Sequence, residues 1–372
     1  MSNVFVLGSG FSKSCGLPTL AELFGQMLTT QGADPKDVEV VKVALEFLYP
    51  HLKARSGHDG YPPFEEFLSL VTASKDFEDR DGDRNGLHQK GEWDKRERSA
   101  LRLLRHCLIT KMQQVRGRKA RDLRRFVELI EPGDTIMTFN WDTLIEQYLH
   151  DVETRGSAPS SNPRQLGRPI HILKLHGSLS WMWLNNPPLD QSPLDERRYL
   201  QGRFKDYWDE IDSRDEPNET LWSLKKNHLT NLAACLDALD QHFPDLNPRM
   251  CIEPPTWYKT PLHTLGQFHS WISAARPLDE AENTIVVIGY SLPSTDLHAR
   301  ALLRAVVGQP LSNGGMIRLI DPNPEVAGRF FTMVTKHLDY HRTHFTAEAV
   351  ECIISPSGKI GPANTTPRKT SL

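Results

Sequence analysis

Five short apolar runs, spread along the chain and each stopped by a glycine or a polar residue, constrain the fold more than any other feature. They are Val4–Leu7, Asp134–Phe139, Ile170–Leu175, Thr284–Gly289 and Met316–Asp321. Each is too short for a helix and too evenly apolar for a half-exposed strand, as expected of strands buried on both faces. Helical periodicities fill the intervals between them. Strands alternating with helices predict an α/β fold, a Rossmann-like, doubly wound and mostly parallel sheet with helical insertions.

The intervals supply those helices. Thr19 and Glu22 have capping-box spacing, and Leu20, Leu23, Phe24, Met27 and Leu28 then share one helical face. Further helices run through Val38, Val41, Leu45 and Leu48, through Phe64, Phe67, Leu68 and Val71, and through Leu101, Leu104, Leu108, Met112 and Val115. The densely charged residues 75–96 read as a loop or a mobile excursion, and Asp79-Arg-Asp-Gly-Asp83 within them lacks calcium-loop spacing. Arg116–Arg125 is basic but flanked by acidic residues, which makes it a solvated surface. Residues 184–248 read as a variable, proline-punctuated insertion with one helix over 221–240, and another helix carries Leu262, Leu265, Phe268, Trp271 and Ile272. The expected organisation is one domain over 1–355, with a helical insertion at about 19–130, followed by a flexible tail over 356–372.

Composition removes several classes of function. A net charge of −3 with 24% charged residues offers no polyanion-binding surface, so no nucleic acid is expected. The five cysteines are scattered, with no C-x-x-C pair, which argues against a zinc ribbon or a disulfide framework, and no metal is expected. No apolar run reaches the length of a membrane span, and no leader pattern opens the chain. These features predict a cytoplasmic protein that stays off membranes.

In a doubly wound sheet the ligand sits beyond the carboxyl ends of the strands. The residues just past those ends are Gly8-Ser9-Gly10, Asn140 with Asp142, His176, Gly289-Tyr290-Ser291, and Asp321-Pro322-Asn323. Gly8, Ser9, Gly10, Phe11 and Ser12 make a candidate phosphate loop, with glycines for close approach, a helix N-terminus, and two hydroxyl donors. The third glycine of G-x-G-x-x-G is replaced by Lys13, and the same glycines also suit a plain strand-to-helix turn. Convergence of five strand ends on one edge is the stronger signal.

Those strand-end motifs also carry a resemblance. Gly8-Ser-Gly-Phe-Ser12 with Gly16-Leu-Pro18, then Thr138-Phe-Asn-Trp-Asp142, Leu175-His-Gly177, Gly289-Tyr-Ser-Leu-Pro293 and Ile320-Asp-Pro-Asn323, stand in the order of the sirtuin (Sir2) superfamily. Pro254–Lys259 and Tyr290–Asp296 resemble its bacterial SIR2-like branch, which is associated with antiphage defence and NAD hydrolysis. The resemblance spans roughly residues 3–325. It implies NAD as the substrate and a catalytic role for Asn140 and His176.

Asn140 can hydrogen-bond ribose hydroxyls or orient a water, and His176, with an ordinary pKa of about 6.5, can accept a proton. Asp142 either offsets developing positive charge or caps the helix that follows it. Gly289 and Ser291 read as phosphate contacts or turn formers. Asp321 and Asn323 read as adenosine-ribose contacts or as turn chemistry. Asp296 reads as structural, and Trp181 and Trp183 as core or pocket wall.

The chain lacks the paired C-x-x-C zinc module of protein-deacylating sirtuins, and Ser178–Trp183 stands where an acyl-lysine segment is expected. Both departures favour hydrolysis of NAD to nicotinamide and ADP-ribose over NAD-dependent deacylation. The presence of both Asn140 and His176 favours an enzyme over non-catalytic sensing of NAD or ADP-ribose, and ADP-ribosyl transfer from the same pocket stands as the alternative. Control by homo-oligomer assembly or by a separately encoded regulatory protein is the matching expectation.

Overall fold

Six parallel strands form the centre of the molecule. The computed structural model describes residues 3–51, 60–81, 91–154, 170–185, 208–212, 219–232, 234–236, 249–252, 284–294, 296–297, 299–304, 316–332 and 338–354. The strands are β1 (Asn3–Leu7), β2 (Thr135–Thr138), β3 (His171–Lys174), β8 (Thr284–Ile288), β9 (Met316–Ile320) and β10 (Leu338–His341), in the order β10-β9-β8-β1-β2-β3. All five apolar runs became strands of this one sheet. Strand order reverses at β1, because the chain continues to β2 on one side and returns to β8 on the other.

Side-chain alternation explains why the runs are apolar throughout. Phe5 and Leu7 of β1 enter one core cluster with Ile136, Val286 and Ile288, while Val4 and Val6 enter a second with Met137, Ile285 and Val287. Both faces of the sheet are therefore covered. The register aligns the last strand residues in a row: Leu7 pairs with Thr138 and Ile288, Thr138 with Lys174, and Ile288 with Ile320. Every loop leaving this row starts at one edge.

The first face carries the helices α1 (Ser9–Cys15), α2 (Leu20–Thr29), α3 (Pro35–Leu48), α4 (Phe64–Asp81), α5 (Glu92–Gln113), α6 (Gly117–Glu128) and α7 (Leu144–Thr154). The Thr19–Glu22 capping box is formed, and Gly16 ends α1 at φ 107°, a conformation that favours glycine. Phe126 of α6 sits 5.5 Å edge-on to Phe5 and 5.4 Å from Phe11, locking α1 and α6 to the sheet. Truncating so well-packed a ring costs about 3–5 kcal/mol. Asp37 on α3 accepts from Ser99 Oγ and Arg102 Nε on α5, both at 2.8 Å.

Three sequence expectations change. The stretch 75–96 is not one loop: α4 continues to Asp81 and α5 starts at Glu92, leaving only 82–90 outside the described residues. Lys75 explains the longer helix, since its ammonium reaches Asp94 at 2.8 Å and Glu97 at 2.9 Å on α5. Residues 221–240 are not one helix either. A second, antiparallel sheet of β4 (Gly177–Asn185), β5 (Trp208–Asp212), β6 (Glu219–Leu224) and β7 (Arg249–Ile252) runs in the order β5-β6-β4-β7, and a short 3-10 helix, Lys226–Asn231, follows β6. The chain beyond Asp321 adds α8 (Pro324–Phe331), β10 and α9 (Ala347–Ile354), none of them expected. The helix expected through Leu262–Ile272, the Pro254–Lys259 stretch and the tail beyond 355 lie outside the described residues.

Candidate active site

Asn140, Asp142 and His176 come together at the strand-end edge, in a cleft enclosing about 630 Å³ of space, part of it open to solvent. Adjacent strands deliver them: Asn140 follows β2 and His176 follows β3. Ser9, Ser12 and Ser291 also line the cleft. Its other walls are apolar, with Leu20 and Leu23 from α2, Leu108 from α5, and the rings of Phe139, Trp141 and Tyr290. Among the described residues lining it there is neither Lys nor Arg.

Asn140 is tightly held. Its Nδ2 donates to the Gly8 carbonyl at 2.9 Å and to Ser12 Oγ at 3.0 Å. Both amide hydrogens are then committed, leaving Oδ1 as the atom with spare capacity, an acceptor. Ser12 Oγ in turn donates to Asp142 Oδ2 at 2.6 Å. Asp142 Oδ1 accepts from Leu144 N at 3.1 Å at the start of α7. Asp142 is thus a helix-start cap and the anchor of the Asn140–Ser12 chain at once, 7% exposed. Behind it, buried Lys174 donates to the Asp142 carbonyl and pairs with Glu146 Oε1 at 2.9 Å. Burial raises the Glu146 carboxyl, and the Lys174 ammonium opposes that shift.

His176 belongs to a closed ring of four side chains. Its imidazole meets the edge of Phe139 with centroids 5.0 Å apart. Phe139 stacks on Tyr290 at 4.0 Å and 9°. Tyr290 Oη donates to Asp296 Oδ2 at 3.1 Å, and that oxygen stands 2.8 Å from His176 Nε2. Burial, then the neighbouring Asp296, pushes the Tyr290 hydroxyl well above its ordinary range, so it remains a donor. Sequence reasoning assigned Asp296 to structure alone and did not find Tyr290, Phe139 or Trp141. The aromatic residues flanking Asn140 and Gly289 were the available signal.

The candidate phosphate loop is built differently from the sequence expectation. The N–H groups of Gly8, Gly10 and Phe11 donate to Ile288 O, Gly289 O and Gly8 O at 3.1, 2.8 and 2.9 Å, so three of the expected anion donors are already used. Phe11 is in the core, 4.7 Å from the Phe345 ring, and not in the cleft. Ser12 lines the cleft, but its single hydroxyl hydrogen is on Asp142. Gly8, Gly10 and Gly289 allow two loops to touch: a Cβ on Gly8 would lie 2.4 Å from Tyr290 Cα, leaving no room for any larger residue.

Asp321 and Asn323 do not line the cleft. Asp321 Oδ1 accepts from Asn323 N at 2.8 Å, and burial raises its carboxyl. Asn323 caps α8 through Glu325 N at 3.0 Å. Ser291 is exposed at the rim, where its carbonyl accepts from Arg329 of α8 at 2.9 Å. Leu292, fully buried beside it, has φ 51°, strain that concentrates in this loop. Trp181 does not line the cleft, and the Trp183 side chain lies outside the described residues.

Among the described residues, no group of three or more His, Cys, Asp or Glu is gathered to hold a metal ion, and no helix is long and apolar enough to cross a membrane. Compared with known proteins, the chain matches no family model and has no significant match among curated proteins.

Proposed function

We propose that the protein hydrolyses NAD to nicotinamide and ADP-ribose, as a SIR2-like effector of bacterial antiphage defence. One observation carries the reading: an acceptor amide, Asn140, and an imidazole, His176, line one cleft whose remaining lining is mostly aromatic and aliphatic, with no Lys or Arg among the described residues. Such walls suit the flat, cationic nicotinamide ring, which aromatic faces attract, and they exclude stray water from the bond being broken. The ordered motifs shared with sirtuins at the same strand ends support the same substrate.

In this reading the C1′–N bond breaks with its electron pair going to the nicotinamide ring, which leaves neutral. Positive charge develops on the ribose C1′. A water oxygen bonds to C1′, and its proton passes to His176. Asn140 Oδ1 accepts from that water or from a ribose hydroxyl, while its amide group, clamped by Gly8 O and Ser12 Oγ, cannot turn. Pre-set orientation of this kind lowers the barrier without reorganisation during the reaction.

Incubation of purified protein with NAD, over a concentration series and with infected-cell lysate, followed by chromatography, tests the proposal. Nicotinamide and ADP-ribose without any acylated peptide are expected. Cleavage only with an acyl-lysine peptide makes the protein a deacylase, ADP-ribose found on protein makes it a transferase, and NAD bound but intact makes it a sensor. Dependence of turnover on concentration or lysate would identify assembly or a separate regulatory protein as the control.

A further inference from the structure

His176 and Asp296 reach each other from opposite sides of β1, one after β3 and the other after β8, and their side chains are 3% and 0% exposed. Asp296 does the work of a helix cap with one oxygen: Oδ1 accepts from Ala299 N at 3.2 Å. Capping leaves the second oxygen unexplained, since caps normally face water and a buried carboxylate is costly unless matched. Oδ2 accepts from the Tyr290 hydroxyl at 3.1 Å, and His176 Nε2 stands 2.8 Å from it as a buried ion-pair contact without the in-line geometry of a hydrogen bond. Phe139 and Tyr290, stacked on each other, close off the remaining sides.

We propose that Asp296 is the positioning residue of His176, its buried carboxylate holding the imidazole in place and stabilising the imidazolium that forms when the ring takes the proton from the attacking water. The proposal rests on the reading of His176 as the base. A carboxylate oxygen 2.8 Å from the ring, in a site closed to water, favours the charged imidazolium over the neutral ring. Among the described residues, the ionisable groups near the ring are Asp296 and Tyr290 from the β8 loop, Arg300 from the helical turn behind them, and Asp142 from the β2 loop, while α2 and α5 line the cleft with leucines.

The test is a cycle of His176→Ala, Asp296→Asn and the double variant, each checked for folding by circular dichroism. Asn keeps an acceptor for Ala299 N and removes the charge. If it fails to fold, Asp296→Ser keeps the cap and cannot reach the ring. Asp296→Asn is expected to lower kcat about 10²-fold with KM within about threefold, and to move the acid limb of the pH profile to lower pH. In the His176→Ala background it should change nothing further. Equal losses in both backgrounds with an unmoved pH profile would make Asp296 a cap only and overturn the proposal. If His176→Ala kept full turnover, the base reading would fall, and this proposal with it. Histidine NMR titration reads the contact without any catalysis: a His176 midpoint at lower pH in Asp296→Asn than in the parent is expected. A midpoint unmoved by the substitution sinks the proposal even if NAD is cleaved.

Discussion

Gly10 and Gly289 meet backbone to backbone. A Cβ on Gly10 would stand 2.7 Å from Gly289 Cα, and one on Gly289 would stand 2.5 Å from the Gly10 carbonyl carbon. Gly289 also has φ 59°, which penalises any other residue. Gly289→Ala is therefore expected to destabilise the fold by about 3 kcal/mol or more, combining left-handed strain with a clash against rigid backbone. Gly328, exposed within α8 with open space around it, is the control: Gly328→Ala should stabilise by ~0.5–1 kcal/mol. Urea unfolding of both variants checks the pair, and a Gly289→Ala protein as stable as the parent would refute the tight contact.

Asn140 and His176 should fail through turnover. His176→Ala and Asn140→Ala are each expected to reduce NAD hydrolysis about 10²-fold or more while the protein remains folded. Asn140→Ala should in addition cost ~1–3 kcal/mol, because the Gly8 carbonyl and Ser12 Oγ lose a buried donor. Steady-state kinetics and denaturation on the same preparations separate the two effects.

Ser12 distinguishes a network role from a phosphate contact. Its hydroxyl holds Asp142 and accepts from Asn140, so Ser12→Ala should lower kcat about tenfold by loosening Asn140, and leave the NAD dissociation constant within about threefold. Calorimetric titration of NAD decides it: a large loss of affinity with kcat intact would return Ser12 to the phosphates.

Glu65 gives the fold a pH dependence. Burial pushes this half-buried carboxyl up from 4.5 to about 7, and Glu66 beside it adds to the shift. The folded chain binds the proton more tightly than the unfolded chain, so the stabilisation is complete below pH 4.5 and is lost as pH rises to about 7. Glu65→Gln should flatten this slope, on the order of 1–3 kcal/mol between pH 5 and 8, measured as the shift in urea midpoint. Asp134, raised by burial to about 6, keeps a residual slope at the acid end.

The parallel sheet was legible because its strands are buried on both faces, and a run such as Thr284–Ile288 leaves no other reading. The second sheet was hidden because β5, Trp-Asp-Glu-Ile-Asp, is mostly acidic and owes its form to pairing with β6. Asn140 and His176 were legible as strand-end residues. Asp296 was not, since its partner lies on a distant strand and its local pattern is that of a cap. Gly10 was read as room for a phosphate because the sequence does not distinguish a glycine that admits a ligand from one that admits another loop.

Pairing of Asn3 with Thr284 also sets when the cleft can exist during synthesis. A growing chain that has emerged only through β3 already carries Asn140 and His176, but Gly10 N–H has no Gly289 carbonyl, His176 has no Asp296, and β1 has one bare edge. Contacts across so long a stretch of chain form late and slowly. For most of translation the growing chain therefore lacks the finished cleft, which needs β8 against β1 before the Gly289 and Asp296 contacts can form.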